Sequence, residues 1–191
     1  MRAVFLDRDG VLIENRGDYV KSWREVRILP GALEAMARLA RLDAKVIIVT
    51  NQSCVGRGIV PLETVERINE RLVEAIRKAG GRVDALYMCP HAPDEGCDCR
   101  KPAPGMLLRA ERELGIDLAD STLIGDGAED IWAAQAAGCR AILVLTGRGQ
   151  ASLKRLEDAG TPEYEVVRDV GEGVEQIANP NEPHRERERR S

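Results

Sequence analysis

Short apolar runs alternate with longer amphipathic stretches from Ala3 to about residue 178. The segments Ala3 to Leu6, Lys45 to Val49, Ala85 to Met88, Thr122 to Ile124 and Ala141 to Leu145 are brief, often β-branched and bounded by turn residues, which predicts five strands. Their apolar character is nearly continuous, so both faces of the sheet should be covered, as in parallel sheets. Between them, Pro30 to Leu42 carries Leu33, Met36, Ala37 and Ala40 at helical spacing, and Pro61 to Ala79 carries Val65, Ile68, Leu72 and Ile76. Each opens with a proline, and the second stops at Gly80-Gly81, which is the start and stop chemistry of helices. Pro104 to Leu114, closed by Gly115, and Ala128 to Ala137, closed by Gly138, predict two more. The order βαβα implies an α/β fold with a doubly wound, open parallel sheet. Residues 1–178 read as one domain; 179–191, with two prolines and a run of mixed charge, read as a disordered tail.

Composition adds exclusions. Aromatic residues are 3% of the chain, so base stacking on single-stranded nucleic acid has little to build on. A net charge of −4 argues against a phosphate-backbone binder while leaving room for a small anionic substrate met by local positive charge. No apolar stretch approaches the ~18 residues of a membrane span. Met1-Arg2 leads directly into the first apolar run, so no signal peptide is expected. Five cysteines without one point to a reducing cytoplasm, where clustered cysteines read as metal ligands.

In open α/β sheets, ligands bind beyond the carboxyl ends of the strands. After the first run come Asp7-Arg8-Asp9-Gly10, after the second Thr50-Asn51-Gln52-Ser53, and after the fourth Gly125-Asp126-Gly127-Ala128-Glu129-Asp130. Asp7 and Asp9 with Asp126 would form an oxygen-rich site suited to Mg²⁺; taken alone, Asp7 and Asp9 read first as loop caps, and the three polar clusters at three strand ends turn the reading toward function. There is no Gly-x-Ser-x-Gly elbow and no phosphate-binding P-loop, and of the two histidines His184 lies in the tail and His91 among cysteines. Carboxylates must then serve both as covalent nucleophile and as proton shuttle, with a metal offsetting the repulsion between two anions.

Cys89, His91, Cys97 and Cys99 offer four soft or borderline ligands within eleven residues, enough for a closed, structural Zn²⁺ site. That zinc would stiffen residues 89–100 and aim the adjoining Arg100 and Lys101; the alternative is a set of unmetallated thiols. Cys54 and Cys139 read as packing thiols, with an oxidisable role for Cys54 as the alternative.

Asp7-Arg8-Asp9-Gly10, Thr50-Asn51-Gln52-Ser53, Arg100-Lys101-Pro102 and Gly125-Asp126 with Asp130 resemble, in order, the four motifs of the haloacid dehalogenase superfamily of phosphatases. With the cysteine insert, the chain resembles the zinc-containing subgroup that includes heptose bisphosphate phosphatases and histidinol-phosphatases. The resemblance implies Asp7 as nucleophile and Asp9 as general acid and then base. It implies Mg²⁺ on the Asp7 and Asp126 carboxylates and the Asp9 carbonyl, and phosphoryl stabilisation by Thr50 and Lys101. Asn51, Gln52, Ser53 and Arg100 would contact substrate; apart from the resemblance, Arg57 and the Gly17-Asp18-Tyr19 loop read as covering it, with plain surface as the alternative. For Asp130, orienting the site and lying on a helix surface remain open.

About 40 residues separate Asp9 from Thr50, which leaves no room for a large cap domain. In this subgroup that suits a small phosphorylated polyol or amino alcohol, and the resemblance of the stretch from Leu29-Pro30-Gly31 through Thr50-Asn51-Gln52-Ser53 to Cys89-Pro90-His91 to the heptose enzymes implies a phosphorylated sugar, first a heptose 1,7-bisphosphate losing its 7-phosphate in nucleotide-activated heptose and lipopolysaccharide core synthesis. Histidinol phosphate and a non-catalytic zinc-stapled binding module are the alternatives. One departure is Gly127, where some heptose enzymes carry lysine. The expected protein is monomeric and engages neither nucleic acid nor membrane.

Overall fold

The computed structural model describes residues 1–179; the predicted tail beyond Asn179 lies outside the described residues. Six strands form one sheet: β1 (Ala3–Leu6), β2 (Lys45–Asn51), β3 (Ala85–Cys89), β4 (Thr122–Gly125), β5 (Arg140–Val144) and β6 (Glu165–Val167). Their order is β3-β2-β1-β4-β5-β6 and every pairing is parallel. Between and after the strands lie α1 (Ala32–Leu39), α2 (Leu62–Lys78), α3 (Gly105–Leu114), α4 (Ala128–Ala136), α5 (Gly149–Asp158) and α6 (Val170–Ala178).

Strand alternation divides the core into two layers. Val4, Leu6, Val46, Ile48, Ile124, Ile142 and Val144 face one side, against α1, α2 and α6. Ala3, Phe5, Ile47, Val49, Leu123, Ala141 and Leu143 face the other, against α3, α4 and Leu156 of α5. Covering both faces removes the pressure for polar alternation, which is why the strands read as unbroken apolar runs.

The predicted stripe of α2 is the buried one, with Val65, Ile68, Leu72 and Ile76 all inside. That of α1 is displaced: Ala32, Ala35, Met36 and Leu39 are buried, whereas Leu33, Ala37 and Ala40 are only partly so. Alanines fit either face, and the bulk of Leu39 settles the rotation. Gly115 caps α3 with a φ of 63°, and Gly138 follows α4 at 74°, conformations that favour glycine. The fifth strand begins at Arg140 and ends at Val144, one residue earlier than predicted. No described helix is long and apolar enough to cross a membrane.

β1 and β4 are adjacent, and their connections run to opposite halves of the sheet. The crevice beyond their carboxyl ends is the topological switch point at which such folds bind ligands.

Candidate active site

A cleft of about 760 Å³ opens at this edge. Asp7 follows β1 directly, with its backbone N–H donating to the carbonyl of Ile124 at 2.9 Å, so the chain still tracks β4 as it leaves the strand. Gly10 then turns the backbone with a φ of 86°, and any Cβ there would overlap the Asp126 carboxylate. The glycine thus supplies both the turn and the space that lets a β4 carboxylate reach the β1 exit.

Asp7, Asp126 and Asp130 are buried, with carboxylate oxygens within 4.8 Å of one another. Burial pushes Asp126 above the usual carboxylate range and the charge of Asp7 adds to this, while Arg148 offsets part. Arg148 donates to Asp126 Oδ2 from its backbone N–H at 2.7 Å, and its guanidinium lies 3.3 Å from Oδ1. Asn15 Nδ2 reaches the same Oδ2 at 3.4 Å. A buried, all-oxygen, multiply anionic donor set of this kind fits a hard divalent cation.

Lys101, 3% exposed, holds these acids in register. Its Nζ lies 3.0 Å from Asp7 Oδ1 and 2.5 Å from Asp130 Oδ1, and donates to the Val49 carbonyl at 2.9 Å. Burial alone would lower its pKa, but Asp130 and then Asp7 outweigh it, and the ammonium is held above its ordinary range. Asp130 sits in the first turn of α4, where Oδ2 also accepts from the Gly127 N–H at 2.9 Å. It is 1% exposed, so the helix-surface alternative is excluded.

Asn51 clamps the backbone of Lys101 from β2. Its Nδ2 donates to the Lys101 carbonyl at 3.0 Å and its Oδ1 accepts from the Lys101 N–H at 3.1 Å. Gln52 Nε2 donates to Asp9 Oδ2 and to Thr50 Oγ1, both at 2.8 Å. These two amides line the cleft but spend most of their hydrogen-bonding capacity on the site itself. Ser53 meets the Tyr19 hydroxyl at 3.3 Å, and Arg57, Arg100 and Gly17 complete the rim.

The cysteine cluster closes on itself. Cys89 Sγ lies 3.6 Å from His91 Nδ1 and 3.6 Å from Cys97 Sγ, and His91 Nδ1 lies 3.2 Å from Cys99 Sγ. A zinc tetrahedron with Zn–S near 2.3 Å and Zn–N near 2.0 Å has edges of roughly 3.5–3.8 Å, close to these separations. Burial opposes ionisation of Cys97, but the Arg100 N–H and neighbouring thiols outweigh it and bring the thiol down to about 7. Burial and the other two sulfurs push Cys99 up, a conflict that a shared Zn²⁺ would resolve. β3 delivers Cys89 beside Asn51, and the Gln52 and Gly56 N–H groups donate to the carbonyls of Cys89 and Pro90, so the loop is laced to the second strand exit.

The sequence-predicted residues Asp7, Asp9, Asn51, Gln52, Ser53, Arg57, Arg100 and Lys101 all line the one cleft; Thr50 and Asp126 are buried beneath it. Cys54 and Cys139 are buried among apolar neighbours. Sequence reasoning passed over Arg8, Asn15, Glu129 and Arg148. For Arg148 a signal existed, since Thr146-Gly147-Arg148 exits the fifth apolar run just as the other clusters exit theirs. A Cβ on Gly127 would press on the Arg148 guanidinium at 3.0 Å, so the cation from β5 occupies the space beside that glycine.

Comparison with known proteins agrees with this layout. A HAD-hydrolase-like family model matches residues 98–173. The D-glycero-beta-D-manno-heptose-1,7-bisphosphate 7-phosphatase of Bordetella bronchiseptica is 43% identical over 178 residues, 93% of this chain and 98% of its own. The Pseudomonas aeruginosa enzyme of the same name is 41% identical, covering 83% of this chain and 89% of its own. The crystal structure of the B. bronchiseptica heptose bisphosphate phosphatase with magnesium and phosphate superposes with a TM-score of 0.88 at 41% identity, over 94% of this chain and 99% of that one.

Proposed function

The chain belongs to the haloacid dehalogenase-like phosphatases, among the heptose bisphosphate 7-phosphatases, and from that premise we propose that it removes the 7-phosphate of D-glycero-D-manno-heptose 1,7-bisphosphate. The observation that carries this reading is the convergence of Asp7, Lys101 and Asp126 from three strand ends on one cleft beside β1.

The Asp7 and Asp126 carboxylates, with the Asp9 carbonyl, would hold Mg²⁺, which supplies positive charge between the anionic nucleophile and the anionic phosphate. A carboxylate oxygen of Asp7 attacks phosphorus, and the bond from phosphorus to the sugar oxygen breaks as Asp9 gives that oxygen a proton. The resulting aspartyl-phosphate is cleaved when Asp9 takes a proton from water and the water oxygen bonds to phosphorus. Lys101 stays cationic throughout and, with Thr50, faces the charge that develops on the phosphoryl group. Asp130 keeps Lys101 charged and aimed; Asn51 fixes its backbone. A structural Zn²⁺ on Cys89, His91, Cys97 and Cys99 would hold the loop that carries Arg100 and Lys101.

Arg57, Arg100 and Arg148 bring positive charge to the rim of a cleft framed by loops, which supports a small substrate with a second phosphate. The net charge of −4 supports the absence of a nucleic-acid partner, the clustered cysteines a reducing cytoplasm and the short chain a monomer, a state sedimentation would check. The decisive assay is steady-state turnover with Mg²⁺ on heptose bisphosphate and on histidinol phosphate. The heptose ester should be preferred and Asp7→Asn should abolish turnover; a clear preference for histidinol phosphate would replace the substrate, and a fully active Asp7→Asn the mechanism.

A further inference from the structure

Arg8 stands between the two aspartates of the first strand exit, yet only 1% of it is exposed, and it is the largest of the fully buried side chains described. All three guanidinium nitrogens are engaged. Nε donates to Asp9 Oδ2 at 3.0 Å. NH2 lies 2.9 Å from the same oxygen and donates to Oδ1 at 3.2 Å. NH1 donates to Asn69 Oδ1 at 2.7 Å, and Asn69 is itself a buried residue of α2 whose amide reaches Met88 Sδ at 3.8 Å. Gln52 Nε2 donates a second hydrogen bond to Asp9 Oδ2, at 2.8 Å.

The two oxygens of Asp9 are therefore unlike. Oδ2 accepts hydrogen bonds from Arg8 Nε and Gln52 Nε2 and has the Arg8 NH2 group 2.9 Å away, whereas Oδ1 accepts one longer hydrogen bond, from Arg8 NH2. A proton on Oδ2 would have to displace those donors; a proton on Oδ1 displaces little. Arginine suits the task because its planar fork fixes the orientation of a carboxylate, which a lysine point charge does not. An Arg8 without Asp9 would be a buried, half-paired cation, so the two side chains constrain each other.

We propose that Arg8, tethered by Asn69, is a positioning residue that anchors Asp9 through Oδ2 and leaves Oδ1 as the oxygen that hands the proton to the departing sugar oxygen. This rests on the phosphatase reading above. As the phosphorus–oxygen bond breaks, the Oδ1–H bond breaks and the sugar O–H forms. The carboxylate so produced is already paired with Arg8, and in the second half-reaction Oδ1 recovers its proton from the attacking water.

The test compares leaving groups. A sugar alkoxide needs the proton, whereas p-nitrophenolate departs without one, and kcat/KM reports only the steps up to that first bond cleavage. Asn69→Ala should lower kcat/KM for heptose bisphosphate about tenfold and Arg8→Gln about a hundredfold, with p-nitrophenyl phosphate changed by no more than about threefold. Asn69→Asp, which keeps the acceptor oxygen for NH1, should restore most of the loss. Parallel losses on both esters would mean a purely structural role, and an unchanged sugar ester in Asn69→Ala would remove the tether; either overturns the proposal. Asn69→Ala carries the test if Arg8→Gln does not fold. An unsubstituted protein that is folded but hydrolyses neither ester overturns the phosphatase reading instead, and the proposal with it.

Discussion

The Lys101 ammonium stands 2.5 Å from Asp130 Oδ1, a buried ion pair that joins the segment after β3 to the first turn of α4 across the ends of β2 and β1. Its removal has a direction. Asp130→Asn keeps the shape but leaves Lys101 with Asp7 as its one ionic partner, and should cost about 3 kcal/mol in chemical denaturation. Under the proposed mechanism turnover should fall with it, because an ammonium drawn wholly onto Asp7 competes with the phosphate for that carboxylate. An unchanged denaturation midpoint would show that Asp7 alone suffices.

Mg²⁺ should stabilise the protein. The buried carboxylates of Asp7 and Asp126 raise the energy of the metal-free form, so a free concentration 100 times the dissociation constant should add about 2.7 kcal/mol, read as a rise in melting temperature. Asp126→Asn should lose that rise; a variant that kept it would place the ion elsewhere.

Zinc should be present at one equivalent and should matter for catalysis through geometry. A strong chelator, or Cys97→Ser, should release it, loosen residues 89–100 and lower turnover by displacing Lys101, while the far-ultraviolet circular dichroism of the sheet and helices is retained. Freshly purified protein without zinc but fully active would refute this arrangement.

Asp84 makes a separate prediction about acid. Its carboxylate accepts from the Val46 N–H at 2.8 Å and from Arg82 Nε at 3.0 Å, with Lys45 Nζ at 3.4 Å. Partial burial raises its pKa, but these donors outweigh it, and the group titrates below its ordinary 3.8. A carboxylate with a depressed folded-state pKa stabilises the fold above the unfolded value, and that contribution disappears as pH falls through the folded value. Asp84→Asn should therefore be less stable at pH 7, and the gap should close below about pH 4; thermal melts across that interval decide it.

Five strands and four helices were legible because β1, β2, β4 and β5 are nearly wholly buried and the half-buried edge strand β3 is still apolar, and because each of those helices opens on proline or glycine and three of them also stop at glycine. β6 was not, since Glu165-Val166-Val167 is three residues long with Val166 exposed on the sheet edge. α5 has few large apolar residues; α6 does bury a stripe of Val170, Gly173, Val174 and Ile177, but Gly171 and Gly173 lower its helix propensity and hide it. Within the site, the acids stand out because three polar clusters follow three strands and so meet at one edge of the sheet, whereas a single Asp-x-Asp could be no more than a loop cap. Arg8 and Asn69 escape notice because their pairing joins residues 61 positions apart, a separation that neither local periodicity nor motif spacing registers.

The strand order also sets a timetable. β1 is made first yet pairs with β4, and the Ala3 N–H donates to Ser121 Oγ across 118 residues. A chain still emerging from the ribosome can assemble β1, β2, β3 and the cysteine loop, but it lacks Asp126 and Asp130 until the second half of the sheet arrives. Asp7 and Asp9 are thus translated long before Asp126 and Asp130, the carboxylates that join them in the cleft, and a prematurely terminated chain would release the first strand exit without its partners from β4 and α4.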